Sequence, residues 1–337
     1  MFKISQRRYL GNKNSILPFI ENIIKNEIED FNSFCDIFAG TGVVGNYFNQ
    51  KNKKIILNDL LYHNFVALNA FLNSDDFSKE KILGIIDKFN SLSIKEDNYF
   101  SINFGDRYFS VDNAKKIGFI REEIRELFLE DKIDRKEKDI LLTSLNYSID
   151  KIANTVGHYD AYIKKEIENR SFKMEFLDTD IEKNRNNEIY NRDANILIRD
   201  IECDILYLDP PYNSRQYSDA YHLLENLTLW QKPKLKGVAK KFDRTHIKSE
   251  YCKKNATKSF EDLIINAKTK YILLSYNNMA NKGNSRSNAR ISDGDIFRIL
   301  GLRGKVKAFE QNYKEFNTGK AKRNDNKERV FFVKVEN

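Results

Sequence analysis

Apolar residues in this chain fall into two patterns: short runs closed by polar turns, and longer stretches where they recur every three or four positions. The first reads as buried strand, the second as amphipathic helix. Phe34-Cys35-Asp36-Ile37-Phe38 and Ile55-Ile56-Leu57 are runs of the first kind. Ahead of them, Ile16, Ile20, Ile23 and Ile24 share one helical face, with Pro18 in the first turn, where proline is tolerated. Helices are predicted over 78–92, 112–130 and 134–152. Ile117, Ile120, Ile124 and Leu127 make the stripe of the second. Asp134 is the expected N-cap of the third, above Leu141, Leu145, Ile149 and Ile152.

Strand and helix stop alternating near residue 60 and resume at Glu188-Ile189-Tyr190. Asp204-Ile205-Leu206-Tyr207-Leu208 and Tyr271-Ile272-Leu273-Leu274-Ser275 are further buried strands. A helix over 296–300 stops at Gly301. Runs 305–311 and 330–335 predict a closing antiparallel pair, joined by a basic hairpin with Lys314, Lys320, Lys322 and Arg323. The pattern predicts an α/β sheet domain over 1–60 and 188–337, interrupted by a mostly helical insertion over 61–187.

Two turns carry candidate chemistry. Ala39-Gly40-Thr41-Gly42-Val43-Val44-Gly45 is a G-x-G-x-x-G turn between strand and helix. Its glycines let the backbone approach a nucleotide, and the helix start offers free N–H groups. Asp59 follows about 20 residues on, where an acid commonly takes ribose hydroxyls. This constellation fits a dinucleotide and S-adenosylmethionine equally. The second turn is Asp209-Pro210-Pro211-Tyr212, at the carboxyl end of the 204–208 strand, where open α/β sheets place ligands. Two prolines stiffen it and leave carbonyls to face a substrate. A fixed carboxylate, a carbonyl and a flat ring suit an amino group on a planar base. By itself the same tetrapeptide fits a plain strand-ending turn as well.

Charge changes the picture modestly. The 337 residues hold 57 Lys and Arg against 49 Asp and Glu, a net +8, which favours a polyanionic partner. Part of the lysine excess accompanies an abundance of Asn and Ile. Cys35, Cys203 and Cys252 form no close pair, which argues against disulfides and fits a reducing cytosol. His246 and Cys252 are too isolated to suggest a metal. No signal-peptide core follows Met1, and no apolar run approaches the roughly 20 residues of a membrane span. The expectation is a soluble, intracellular protein without a membrane partner.

Lys151 to Lys165 interleaves amides, hydroxyls, aromatics and cations. Asn154, Thr155, His158, Tyr159, Tyr162 and Lys164 have the residue types of a base-reading surface, though an ordinary loop has the same composition. The lysine-rich stretch 232–254, with Lys240 and Arg244, reads as a mobile surface segment or a phosphate-contacting loop.

Tyr9-Leu10-Gly11-Asn12-Lys13, Asp36-Ile37-Phe38-Ala39-Gly40-Thr41-Gly42, Asn58-Asp59 and Asp209-Pro210-Pro211-Tyr212, in that order, resemble the Dam-like adenine-specific DNA methyltransferases. The runs Lys151 to Lys164 and Asn213 to Glu225, which include Arg215 and Tyr217, look closer still to FokI- and NlaIII-type modification methylases. The resemblance implies a Rossmann-like class I methyltransferase fold, with a seven-stranded mixed sheet whose last strand is antiparallel, and a target-recognition insertion. It implies S-adenosylmethionine as donor and N6-methylation of a flipped adenine in double-stranded DNA, with Asp209, Pro210 and Tyr212 at the reacting amine. Tyr9, Lys13, Asp59 and Asp209 would contact the cofactor. Asp36, Phe38, Gly40 and Gly42 would surround its methionine part, and Asp193 its adenine. Arg215 and Tyr217 join the residues expected to touch DNA. Tyr9 departs from the tryptophan common in the family, a change that preserves stacking. The implied setting is the bacterial cytoplasm, with the protein at the nucleoid when acting, as a monomer on DNA. A cognate restriction endonuclease would act independently. An RNA adenine methyltransferase or a protein glutamine methyltransferase of the same fold is the alternative; the glutamine enzymes usually carry Asn where Asp209 stands.

Overall fold

The computed structural model describes residues 1–168, 170–179, 186–277, 289–312 and 327–336. They form two compact units. A sheet unit comprises Lys13–Leu60, Tyr190–Gln216 and Lys248–Asn337, and a helical unit comprises Met1–Asn12, Leu61–Ile189 and Tyr217–Ile247. The helical unit thus takes in more than the stretch between 61 and 187: the first twelve residues and a segment after the Asp-Pro-Pro-Tyr turn also belong to it.

The strands are β1 Ser33–Asp36, β2 Lys54–Asn58, β3 Glu188–Tyr190, β4 Glu202–Leu208, β5 Lys268–Ser275, β6 Val306–Asn312 and β7 Lys327–Lys334. They make one seven-stranded sheet of order β3-β2-β1-β4-β5-β7-β6. The mixed sheet with an antiparallel closing strand is as the resemblance implied. β1 is parallel to β2 and β4, β4 is parallel to β5, and β7 runs antiparallel to both β5 and β6. Ile205, Leu206, Tyr207 and Leu208 are all at 0 % exposure, so both faces of β4 are covered. That is why β4 reads as an unbroken apolar run instead of an alternating one. Asp204 secures its start by accepting hydrogen bonds from the backbone N–H groups of Asn32 and Ser33.

The helix Val43–Phe48 follows the glycine turn and packs unusually close to the sheet. A Cβ on Gly45 would meet Leu57 Cδ2 at 2.3 Å. The third glycine of the turn therefore serves helix–strand packing, and Gly40 and Gly42, at φ 54° and 81°, serve the turn itself.

In the helical unit, Lys79–Ser91 and Arg135–Ile152 form where the periodicity predicted them. The Ser78 side chain accepts from Lys81 N–H, and Asp134 accepts from Glu137 N–H in a capping box. Val111–Leu129 is the helix predicted over 112–130. Tyr62–Leu72 and Tyr99–Phe104 are additional. Tyr62–Leu72 escapes a periodicity search because it is buried nearly all round, His63, Asn64 and Asn69 included.

The stretch 232–254 is not the mobile segment its composition suggested. Phe242 and Ile247 are buried in the helical unit and Tyr251 and Cys252 in the sheet unit, as apolar anchors spaced among the lysines. The predicted hairpin with Lys314, Lys320, Lys322 and Arg323 lies outside the described residues. Among the described residues no helix is long and apolar enough to cross a membrane.

Gly45→Ala forces a methyl group against Leu57, and the expected cost is about 1–3 kcal/mol of unfolding free energy. Urea unfolding measures it; a variant as stable as the parent contradicts the packing account.

Candidate active site

The carboxyl ends of β1, β2 and β4 bring three acids of the sheet unit to one edge. Parallel pairing sets Asp36 beside Tyr207, two residues before Asp209, and sets Asp36 beside Leu57, two before Asp59. Asp36 is 1 % exposed, and its Oδ1 is buried with no hydrogen-bond partner. Burial, with Asp209 and Asp59 close by, pushes its carboxyl well above the usual carboxylate range, and the Phe38 backbone N–H only partly opposes this. Asp59 Oδ2 accepts from Gly40 N–H at 2.9 Å, so the acid holds the glycine turn in place.

Among the described residues, Lys13 brings a cation to this edge. Lys13 Nζ lies 3.3 Å from Asp209 Oδ1 and 3.7 Å from Glu328 Oε2, with the Lys13 side chain only 9 % exposed. Burial works against the ammonium, but Asp209 and then Glu328 outweigh it and raise its pKa. Burial lifts the Asp209 carboxyl to about 6; Lys13 pulls it down and Glu328 pushes it up. Burial thus prevails over the ion pair at Asp209, and the carboxylate remains a strong acceptor.

The turn beyond Asp209 is rigid for identifiable reasons. The Tyr212 carbonyl accepts from Arg290 N–H at 2.8 Å and from Tyr276 Oη at 3.3 Å. The Tyr212 ring meets Tyr276 edge-on, with centroids 6.4 Å apart and planes at 81°. Pro210 is buried beside it. Asn58 ties a second loop to the same edge. Its Nδ2 donates to the carbonyls of Ile37 and Arg192, and its Oδ1 accepts from Arg192 N–H. The next residue, Asp193, caps the helix Ala194–Leu197 and lines a cleft of about 420 Å³ with Glu250, Lys258 and Asp262. Phe38 packs edge-on against Tyr251.

The remaining candidates lie in the helical unit, Arg215 excepted. Tyr9 stacks on Tyr221 at 4.5 Å and 8° and on Tyr217 at 5.4 Å and 28°, and Arg7 lies over Tyr9 and Tyr221. Tyr217 and Tyr221 are 6.3 Å apart, too close for Tyr9 to be sandwiched between them, so the rings form a cluster and not a column. Tyr221 Oη accepts from Leu10 N–H, and Tyr217 Oη donates to the Leu10 carbonyl.

Among residues expected to touch DNA, Tyr159 is corrected. It is 2 % exposed, its Oη donates to Asp150 at 2.6 Å, and its carbonyl accepts from Tyr108 Oη, so it belongs to the core. Arg244 is engaged by Asp219 at 2.6 Å, with 11 % of its side chain exposed. Asn154 Nδ2 donates to the carbonyls of Arg107 and Ile163, which organises the loop. Thr155, His158 and Tyr162 are half-buried in the same loop, Tyr162 edge-on to Tyr108. Lys164 and Arg215 are exposed, and Lys240 stands at φ 53° in a tight turn closed by Lys236 and Lys241. Glu328 and Tyr276 were not picked out from the sequence, and Asn58 stood in the Asn58-Asp59 motif without a role. Asn58 alone had a signal, its place beside Asp59.

Among the described residues, three carboxyl groups and a more distant Glu328 share one ammonium at this edge, and the Asp36 oxygen lacks a donor. A cationic ligand that carries N–H groups fits that set.

The profile described as D12 class N6 adenine-specific DNA methyltransferase matches residues 9–286. Modification methylase StsI of Streptococcus sanguinis is 35 % identical over 308 residues, 87 % of this chain and 46 % of that protein. Type II methyltransferase M.FokI of Planomicrobium okeanokoites is 35 % identical over 286 residues, 80 % of this chain and 44 % of its own length. Type II methyltransferase M.NlaIII of Neisseria lactamica is 33 % identical over 330 residues, 95 % of both chains. The chain spans about half the length of the first two relatives and nearly all of the third. It belongs to the D12 class N6 adenine-specific DNA methyltransferase family.

A carboxyl raised on folding holds its proton more tightly in the folded state. For Asp209, stability therefore falls as pH rises from 3.8 to about 6 and stays lowered above that. Asp209→Asn mimics the protonated acid and is expected to raise the unfolding free energy by about 1–3 kcal/mol at pH 8, with no gain below pH 4. Urea unfolding at both pH values checks it; a loss of stability at pH 8 contradicts it.

Proposed function

We propose that this member of the D12 class transfers a methyl group from S-adenosylmethionine to the exocyclic amine of an adenine extruded from double-stranded DNA. The observation that carries the reading is the rigid acidic corner. A half-buried acceptor, Asp209, is followed at once by a turn whose Tyr212 carbonyl and ring positions are set by Tyr276 and Arg290.

S-adenosylmethionine, when bound, supplies an electrophilic methyl group on a positively charged sulfur. Asp36, Phe38, Gly40 and Gly42 would hold its methionine part, Asp59 its ribose and Asp193 its adenine, with Tyr9 and Lys13 as further contacts. The acidic edge favours that positive charge, and the unpartnered Asp36 oxygen would accept from its ammonium.

The target base has to leave the duplex, because its amine is not accessible inside the stack; extrusion costs a few kcal/mol. Stacking on Tyr212, worth roughly 1–3 kcal/mol, offsets much of this. The Asp209 carboxylate and the Pro210 carbonyl would accept the two N–H bonds of the amine. Held this way, the nitrogen lone pair turns out of ring conjugation, and the same acceptors stabilise positive charge as it develops on nitrogen. The methylated amine is acidic enough to lose its proton readily, so Asp209 need not be a strong base.

Recognition of the DNA sequence falls mainly to the helical unit in this reading, with Asn154, Thr155, His158, Tyr162, Lys164 and Tyr217 as candidates, joined by Arg215 of the sheet unit. Lys240, with Lys236 in the same turn, suits phosphate contact. The accompanying proposal is a modification enzyme of a restriction-modification system, acting as a monomer on DNA in the cytoplasm.

One set of binding and turnover measurements over a range of salt concentrations tests both halves. Asp209→Ala is expected to abolish methyl transfer while DNA binding persists. Lys236→Gln with Lys240→Gln is expected to flatten the salt dependence by about 0.9 for each phosphate left without its lysine. Turnover retained by the first variant rejects the catalytic reading, and an unchanged slope in the second rejects the phosphate contacts.

A further inference from the structure

We infer that Glu328 is a positioning residue: it shares the Lys13 ammonium with Asp209 and so keeps the Asp209 carboxylate open to a substrate amine. The inference rests on the proposed role of Asp209 as acceptor of that amine. Lys13 Nζ stands 3.3 Å from Asp209 and 3.7 Å from Glu328. Both separations exceed the roughly 2.7–2.9 Å of a closed charge-assisted hydrogen bond. The ammonium is held between two anions, nearer to Asp209 and at long range from both.

The environment makes this sharing effective. The side chains of Lys13, Asp209 and Glu328 are 9 %, 20 % and 16 % exposed, so water and salt screen their charges poorly. Glu328 Oε2 is buried and makes no hydrogen bond. Glu328 comes from β7, the antiparallel strand, and Asp209 follows β4, so the sheet fixes the distance between them. Among the described residues, Glu328 is the second carboxylate within 4 Å of the Lys13 ammonium, so its loss leaves Lys13 free to close on Asp209. A closed pair would then occupy lone pairs the substrate amine requires.

The other groups facing this centre are Asp36 from β1, Tyr207 from β4, Ser275 from β5 and Tyr212 from the turn, with Asp59 beyond Asp36. Asp36 and Glu328 share the sign of Asp209, and Lys13 opposes it. Burial and then Lys13 and Glu328 set the proton affinity of Asp209, Lys13 downward and Glu328 upward. Removal of Glu328 or Lys13 should therefore move that affinity in opposite directions, a signature that loss of packing does not give.

The test is a carbon-13 NMR titration of the Asp209 carboxyl in the full chain, assigned by its absence in Asp209→Asn, beside the pH profile of kcat/KM on DNA. Glu328→Gln is expected to lower the Asp209 midpoint by about one unit. Lys13→Met is expected to raise it, and Glu328→Asp to leave it near the parent value. On the alkaline plateau, Glu328→Gln should lose between about tenfold and a hundredfold in kcat. An unmoved midpoint in Glu328→Gln overturns the inference, as does full activity in that variant. Failure of Glu328→Gln to fold while Glu328→Asp folds assigns the residue to stability and also overturns it. If the parent chain methylates no DNA, the functional reading fails instead, and the NMR midpoints still report whether Glu328 acts on Asp209.

Discussion

Acids crowded at one edge of a parallel sheet repel one another, and the sheet unit is built around holding them there. The parallel pairing of β1 with β2 and β4 leaves Asp36, Asp59 and Asp209 no freedom to separate, because each is tied to a strand end in fixed register. Burial sharpens the repulsion, as the raised proton affinities of Asp36 and Asp209 record. Lys13 is the counterweight, and its position between Asp209 and Glu328 relieves the repulsion only in part. The cationic ligand that such an edge favours would complete the neutralisation. Strain held in reserve for a ligand is a common property of functional sites.

Rigidity around the acids has separate sources, each local. Asp59 pins the glycine turn through Gly40, Asn58 bridges the ends of two loops, and Tyr276 with Arg290 fastens the turn beyond the prolines. Close packing of Val43–Phe48 against Leu57, possible only at a glycine, sets where the helix start points. Asp59, Asn58, Tyr276 and Arg290 act through backbone groups, and the Gly45 contact acts through the Leu57 side chain.

Much of this could be read from the chain itself. Strands buried on both faces announce themselves as unbroken apolar runs, and Asp134 marked a helix start because capping is chemistry between near neighbours. The Asp-Pro-Pro-Tyr turn was visible for the same reason. What escaped was non-local or masked. Tyr62–Leu72 carries no polar face to give it period, and Ala256–Asn266 follows a lysine-rich stretch whose few apolar residues turn out to be anchors. Glu328 stands in a run of charged residues that looks like plain surface, and only the antiparallel placement of β7 brings it to Lys13. Tyr159 erred the other way. Its composition-rich neighbourhood suggested a recognition loop, yet the ring is one of the largest fully buried side chains. Residue type alone does not separate a base-reading tyrosine from a core one.

We propose that a fixed acidic corner selects the exocyclic amine of adenine. Long-read detection of modified bases in DNA from cells that express this chain tests it most directly. The expected result is N6-methyladenine confined to one short sequence context and absent from cells without the chain. Unmodified DNA, or methyl groups found on cytosine alone, would contradict it.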